Sequence, residues 1–194
     1  IHSMLSRKVD GLILAPVGPI NPGIKLLVDQ GIPLVLFDRL SDKVRSVPRI
    51  SAHHREDSRK ATRHLIERGH RDILCLRGSS GSQADRERVL GFRDVLQQNG
   101  IDFNPDRLIG DSYDREESAI AVEGFFASGA DRVTACLSLG GQNTLGLLDA
   151  CRARRISIPG ELSIVAFDEQ PWSAHVDPAM TTLAKTAAAR TSSG

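Results

Sequence analysis

The sequence predicts an α/β protein built on parallel sheets, and three observations carry the prediction. Short apolar runs alternate with amphipathic segments along the 194-residue chain, the pattern of strand-helix-strand units joined by right-handed crossovers. Each run is short and apolar on both faces, as strands covered by helices on both sides require. Charged residues, Asp38 and Asp168, stand directly after two of these runs, where open α/β sheets gather their ligands.

Taken in order, the first strand is expected at Gly11 to Leu14. A helix follows after Asn21, with Pro22 at its first position, where a missing N–H costs nothing, and Gly31 closing it in a left-handed turn. Its Ile24, Leu27 and Val28 then face a sheet. The second strand is Pro33 to Phe37. From Asp38 to Ser58 the chain turns polar, with Pro48 inside, and this stretch is the best place for it to cross between lobes. A helix from about Glu56 to Arg68 turns Ala61, Leu65 and Ile66 inward and stops at Gly69. Its Arg59, Arg63 and Glu67 read as a solvated face. The strand Ile73 to Leu76 leads to a helix from about Asp85 to Asn99, presenting Val89, Phe92 and Leu96. Two further helices, Glu116 to Ala127 and Gln142 to Arg154, alternate with strands Val133 to Leu137 and Ser163 to Phe167. The tail from Lys185 to Gly194 loses apolar periodicity and reads as a frayed or truncated end.

Composition excludes several classes. With 40% apolar and 25% charged residues the chain is neither disordered nor fibrous. A formal net charge of +1 is too balanced for a surface that holds nucleic acid unaided. No apolar run reaches membrane-spanning length, and Ile1 to Lys8 lacks the build of a signal peptide. Cys75, Cys136 and Cys151, an odd set inside apolar segments, read as buried hydrophobes of a reducing compartment, so a cytoplasmic location is expected. Neither a nucleophile with its base nor a metal-ligating cluster accompanies Arg88 and Asp168, which lie beyond the carboxyl ends of buried strands. These features point to a sensor of a small polar molecule, not to an enzyme, with no cofactor.

Five segments carry a resemblance: VDGLIL at Val9 to Leu14, GIPLVLFDR at Gly31 to Arg39, HLIERGHRDILCLRG at His64 to Gly78, PGELSIVAFDE at Pro159 to Glu169, and DPAMTTL at Asp177 to Leu183. In this order and spacing the chain, from Leu5 to about Ala184, resembles the effector-binding domain of the LacI/GalR family of bacterial transcription regulators. That family shares a two-lobed fold with periplasmic sugar-binding proteins. The resemblance implies a remnant of the amino-terminal lobe over residues 1–50, a carboxyl-terminal lobe over 51–180, and a crossover back with a truncated tail over 181–194. It further implies that the family's helix-turn-helix, hinge, first strand and helix, and last helices are absent here. The parent would then bind operator DNA as a homodimer and sense a small, sugar-like effector between its lobes.

The resemblance also names candidate contacts. Arg88 matches the position whose guanidinium bonds effector oxygens, a fork that can hold two adjacent oxygens at once; its competing reading is an exposed first-turn helix charge. Asp168 matches the ligand-contacting carboxylate, an acceptor suited to hydroxyl donors; it could equally cap the next turn. Asp38 is the corresponding candidate from the opposite lobe. Tyr113 is the choice for the aromatic that stacks on the effector, with a surface tyrosine as the alternative. Gly140-Gly141 stands where the family commonly has Asn-Asp, which removes two polar side chains and allows close backbone approach. His53-His54 replaces an Asp-Asn pair; adjacent residues point apart, which argues against a metal site. Two rivals remain at this stage. A periplasmic sugar-binding protein has the same lobes, and a nucleotide-dependent α/β enzyme would need a phosphate loop that Gly78-Ser79-Ser80-Gly81 imitates only loosely.

Overall fold

The computed structural model describes residues 9–15, 22–37, 47–129, 133–183 and 187–190. They fall into two compact units, one within Ile1–His53, Gly81–Ala84 and Thr186–Gly194, the other within His54–Ser80 and Asp85–Lys185.

In the first unit, strands β1 (Leu12–Leu14), β2 (Leu34–Phe37) and β3 (Arg49–Ala52) run parallel in that order. Strand β9 (Ala187–Arg190) pairs antiparallel with β3, Ile50 opposite Ala189. Helix α1 (Pro22–Asp29) begins at the proline, as its fixed φ favours, and Gly31 turns away at φ 68°. Ile24 and Leu27 of α1 meet Leu34 and Leu36 of β2 in a small core with Val47. The other face of this sheet leaves Ile13 76% and Phe37 47% exposed.

The second unit holds a five-stranded, wholly parallel sheet in the order β5-β4-β6-β7-β8. Its strands are β4 (Ile73–Leu76), β5 (Leu108–Ile109), β6 (Ala135–Ser138), β7 (Ser163–Phe167) and β8 (Thr181–Leu183). Helices α2 (His54–Glu67) and α3 (Gln83–Gln98) cover one face, α4 (Arg115–Ala127) and α5 (Gly141–Arg154) the other. Side chains alternate across the sheet. Ile73, Cys75, Leu137, Val165 and Phe167 meet Leu65, Phe92 and Val95 on the first face. Leu74, Leu76, Cys136 and Ile164 meet Val122, Phe125, Leu147 and Cys151 on the second. Two-sided burial is why these strands read as unbroken apolar runs.

Boundaries and short elements differ from the sequence reading. The strand expected at Val133 to Leu137 lies two residues later at its start, at Ala135–Ser138, because its pairing with β4 begins at Ala135, opposite Ile73. Helix α2 starts at His54 and α3 at Gln83, two residues before their expected positions. The polar stretch after Asp38 contains β3, and the tail expected to fray contains β9, an alanine-rich strand on the sheet.

Candidate functional site

The carboxyl ends of β4, β6 and β7 gather the polar groups of the second unit. After β4 the chain runs to β5 on one side of it, then returns to β6 on the other. The gap between β4 and β6 is thus the switch point where open α/β sheets hold ligands.

Arg88, in the second turn of α3, is only 4% exposed, so the reading of it as an exposed helix charge does not hold. Its Nη1 donates to the carbonyl of Leu139, just past β6. Nη2 lies 3.4 Å from His54 Nδ1 and 3.7 Å from Asp168 Oδ1, and the guanidinium carbon sits 4.4 Å over the Phe167 ring. The stacking holds the fork's plane and leaves its edge for oxygen acceptors. Nε has no hydrogen-bond partner among the described residues. Neighbouring Arg86 donates to the Ser80 carbonyl at 3.1 Å instead.

Asp168 leaves β7 in the left-handed region at φ 66°, which Asp tolerates better than most residues. It does not cap the following turn, whose N-cap is Gln170 without a side-chain bond. The Tyr113 ring is half-buried and lies across two glycines. A Cβ on Gly78 would stand 2.2 Å from its Cε1, and one on Gly140 3.0 Å from its Cδ1. The structure therefore brings Tyr113 to Gly140, and Arg88 to Asp168 and to Leu139 beside Gly140. Asp38 lies outside the described residues.

Three supporting groups escape sequence reading. His54 is buried against Arg88, whereas His53 is exposed. Asn143, fully buried in α5, directs its amide nitrogen to the Arg77 carbonyl (3.1 Å), the Ser112 carbonyl (2.6 Å) and Ser118 Oγ (2.9 Å). It thereby ties the loops after β4 and β5 that carry Gly78 and Tyr113; a polar residue inside an apolar helix stripe is the signal that could have found it. Asp85 accepts from the Gly78 N–H at 2.8 Å and pairs with Arg77. Burial pushes its carboxyl up and these donors pull it down, burial being the larger effect.

A cavity of about 250 Å³ lies at the opposite, amino end of the strands, lined by Asp72, Ile73, Phe92, Phe103 and Arg107. There Arg107 closes on Asp72 at 2.7 and 2.9 Å, so these two charges of the wall satisfy one another. Among the described residues no group of His, Cys, Asp and Glu is placed to hold a metal, and no helix is long and apolar enough to cross a membrane.

Residues 62–191 match the Periplasmic binding protein-like domain family. The chain is 26% identical to the HTH-type transcriptional repressor PurR of Vibrio parahaemolyticus over 185 residues, covering 94% of this chain and 54% of that protein. It thus spans about half the length of the curated relatives it matches. Among solved structures it is similar to a transcriptional regulator CelR-cellobiose complex, with TM-score 0.85, 25% identity, and coverage of 93% of this chain and 55% of that one. It is also similar to a sugar-binding transcriptional regulator of the LacI family from Escherichia coli complexed with phosphate, with TM-score 0.80, 25% identity and coverage of 93% and 65%. With the doubly covered parallel sheet, its polar switch point and a family match over more than half its length, the chain belongs to the periplasmic binding protein-like domain family, in the form that LacI/GalR regulators carry.

Proposed function

We propose that this chain is the effector-sensing domain of a LacI/GalR-type transcription regulator and that it holds a small polar ligand at the carboxyl ends of β4, β6 and β7. The observation that carries the reading is Arg88, buried to 4% exposure yet with Nε unbonded, set 3.7 Å from Asp168. A buried guanidinium with an unmatched donor costs free energy that an incoming oxygen acceptor returns. Arg88 supplies donors, Asp168 an acceptor for hydroxyls, and Tyr113 an apolar face over the backbone of Gly140. None of these is a nucleophile poised on a base, and the relatives are transcriptional repressors and regulators, which supports reading the chemistry as recognition and not catalysis. Asp38 is a further proposed contact. In the whole regulator, operator DNA would be the second partner, bound by a homodimer in the cytoplasm. The effector acts by binding two conformations unequally; a ligand with equal affinity for both would shift nothing.

Calorimetry on folded variants tests the reading. Arg88→Ala and Asp168→Ala are each expected to weaken the effector by roughly 1.5 to 3 kcal/mol, the range for hydrogen bonds to charged groups. The double variant should lose less than the sum if one ligand bridges both groups. Unchanged affinity in both single variants would sink the assignment.

A further inference from the structure

Two exposed helix ridges of the second unit carry the same pattern with opposite charge, and we propose that each docks on the other in a second copy of this chain. On α3, Arg86, Leu90 and Arg93 follow one another at steps of four and then three residues, and on α4 so do Glu116, Ile120 and Glu123. That spacing sets each trio on one face of its helix, with about 10 Å between its outer members. All six residues are exposed. Leu90, at 39%, and Ile120, at 66%, are the exposed large apolar side chains of this unit among the described residues.

With pairs internal to the chain set aside, each ridge keeps charges of one sign. On α3, Asp94 is held by Arg55 at 2.8 and 2.9 Å, and Glu87 acts on the same guanidinium. Arg86 donates to the Ser80 carbonyl at 3.1 Å, and the Arg93 guanidinium lies 3.9 Å over the Phe103 ring; neither of these partners is an anion. On α4, Arg115 is held by Asp149, whereas the carboxylates of Glu116 and Glu123 make no ion pair among the described residues. The α4 ridge also has a gap. Gly124, four residues past Ile120 on the same face, would set a Cβ in open space, with nothing within 4 Å. A glycine inside a helix weakens it. Gly91 and Gly146 meet neighbouring helices too closely for a Cβ, and Gly124 meets none. An apolar side chain from outside can settle there beside Ile120, over bare backbone.

Helices α3 and α4 cover opposite faces of one sheet, so the two ridges cannot meet within a copy. Between copies, α3 of one meets α4 of the next, with Leu90 on Ile120. Each arginine then faces a glutamate whether the helices run parallel or antiparallel, because the order of charge, apolar residue and charge is the same from either end. A two-fold contact of either ridge with itself would set like charges together, which costs affinity. The contact is therefore head to tail, leaves one ridge open at each end of a stack, and is additional to any two-fold homodimer. With a small apolar centre and a charged rim, it is weak, charge-driven and concentration-dependent.

Sedimentation velocity on the purified chain tests the contact. The weight-average sedimentation coefficient should climb with concentration at low salt. Raising ionic strength from about 0.1 M to about 1 M, which cuts the screening length from about 10 Å to about 3 Å, should reverse the climb. Arg86→Glu/Arg93→Glu makes both ridges acidic, and Glu116→Arg/Glu123→Arg makes both basic. Each of these half-exchanged chains should self-associate about tenfold more weakly than the unmodified one. The chain with all four exchanges has its charges swapped but complementary again, and should recover. Circular dichroism checks that each variant is folded. Should an exchanged chain not fold, the milder Arg86→Gln/Arg93→Gln and Glu116→Gln/Glu123→Gln replace it, and each should weaken the association and flatten its salt dependence. A chain that keeps one sedimentation coefficient up to about 1 mM, the weak end of the affinity range, overturns the contact. So do half-exchanged or neutralised chains that associate like the unmodified one, or a folded, fully exchanged chain that does not recover.

Discussion

Asp168 does two jobs with one residue. Its carboxylate faces Arg88, and its backbone turns the chain out of β7 at φ 66°. A left-handed conformation costs a residue with a Cβ about 1 to 2 kcal/mol, less for Asp and nothing for Gly. Asp168→Gly and Asp168→Ala both lose the carboxylate, so their difference isolates the backbone. The glycine variant is expected to be more stable than the alanine variant by about 1 kcal/mol in urea melts, the reverse of the usual order within regular structure. Equal stabilities would mean the turn relaxes once the carboxylate is gone. Asp168 stood out in the sequence because a charge just past an apolar run cannot belong to the strand's buried faces, and Arg88 because it matches a position of the family the chain resembles. His54 and Asn143 were not. Their roles depend on which side of a helix they occupy and on carbonyls distant in sequence, Arg77 and Ser112 for Asn143.

At the scale of elements, the helix pairs on the two faces of the second unit repeat one arrangement. Gly91 of α3 lies against α2, where an added Cβ would meet the Arg55 carbonyl at 2.2 Å. Gly146 of α5 lies against α4, with the Arg115 carbonyl at 2.3 Å. Each crossing is clipped by a two-pronged ion pair from the same residues: Arg55 to Asp94 at 2.8 and 2.9 Å, Arg115 to Asp149 at 2.6 and 2.8 Å. Gly124 of α4, by contrast, has nothing within 4 Å. Gly-to-Ala exchange in an open helix gains up to about 1 kcal/mol, whereas overfilling a tight contact costs about 1 to 3 kcal/mol. Gly124→Ala should therefore raise the melting temperature, and Gly91→Ala and Gly146→Ala should lower it. Stabilisation by either of the last two would show that the helices can move apart freely. The longer elements were readable because four or more consecutive apolar residues, or a 3.6-residue stripe, leave a pattern. Strands β3, β5, β8 and β9 were not: β5 is only Leu108–Ile109, and the three or four residues of the others, with Arg, Ser, Thr or Ala among them, carry no periodicity. Neighbouring strands define these, not their own composition.

For the molecule as a whole, acid should act through the clipped helix pairs and through Asp111, whose carboxyl the Ser80 N–H holds below the ordinary range. Hydrogen bonding to Arg55 holds Asp94 below the ordinary carboxylate range, and Arg115 does the same for Asp149. A depressed carboxylate stabilises the fold above its unfolded pKa, near 3.9, and that contribution drains away as pH falls through the lower folded value. Asp85 works in the opposite sense, because burial raises its pKa and its contribution shrinks as pH climbs. Thermal melts from pH 5 downward should thus show falling stability, with a shallower fall in Asp94→Asn/Asp149→Asn; an unchanged slope would place the acid sensitivity elsewhere. The same sheet whose two covered faces make the strands unreadable as alternating patterns also hides the thiols. Cys75 and Cys136, from adjacent strands, point to opposite faces, and Cys151 lies in α5. Burial pushes all three thiols up, Cys151 to about 11, so essentially no thiolate exists in the native state at neutral pH. These cysteines are silent clocks: a thiol reagent should modify them only as fast as each layer of the second unit opens, and pulse labelling with mass spectrometry would time the two faces of one sheet separately.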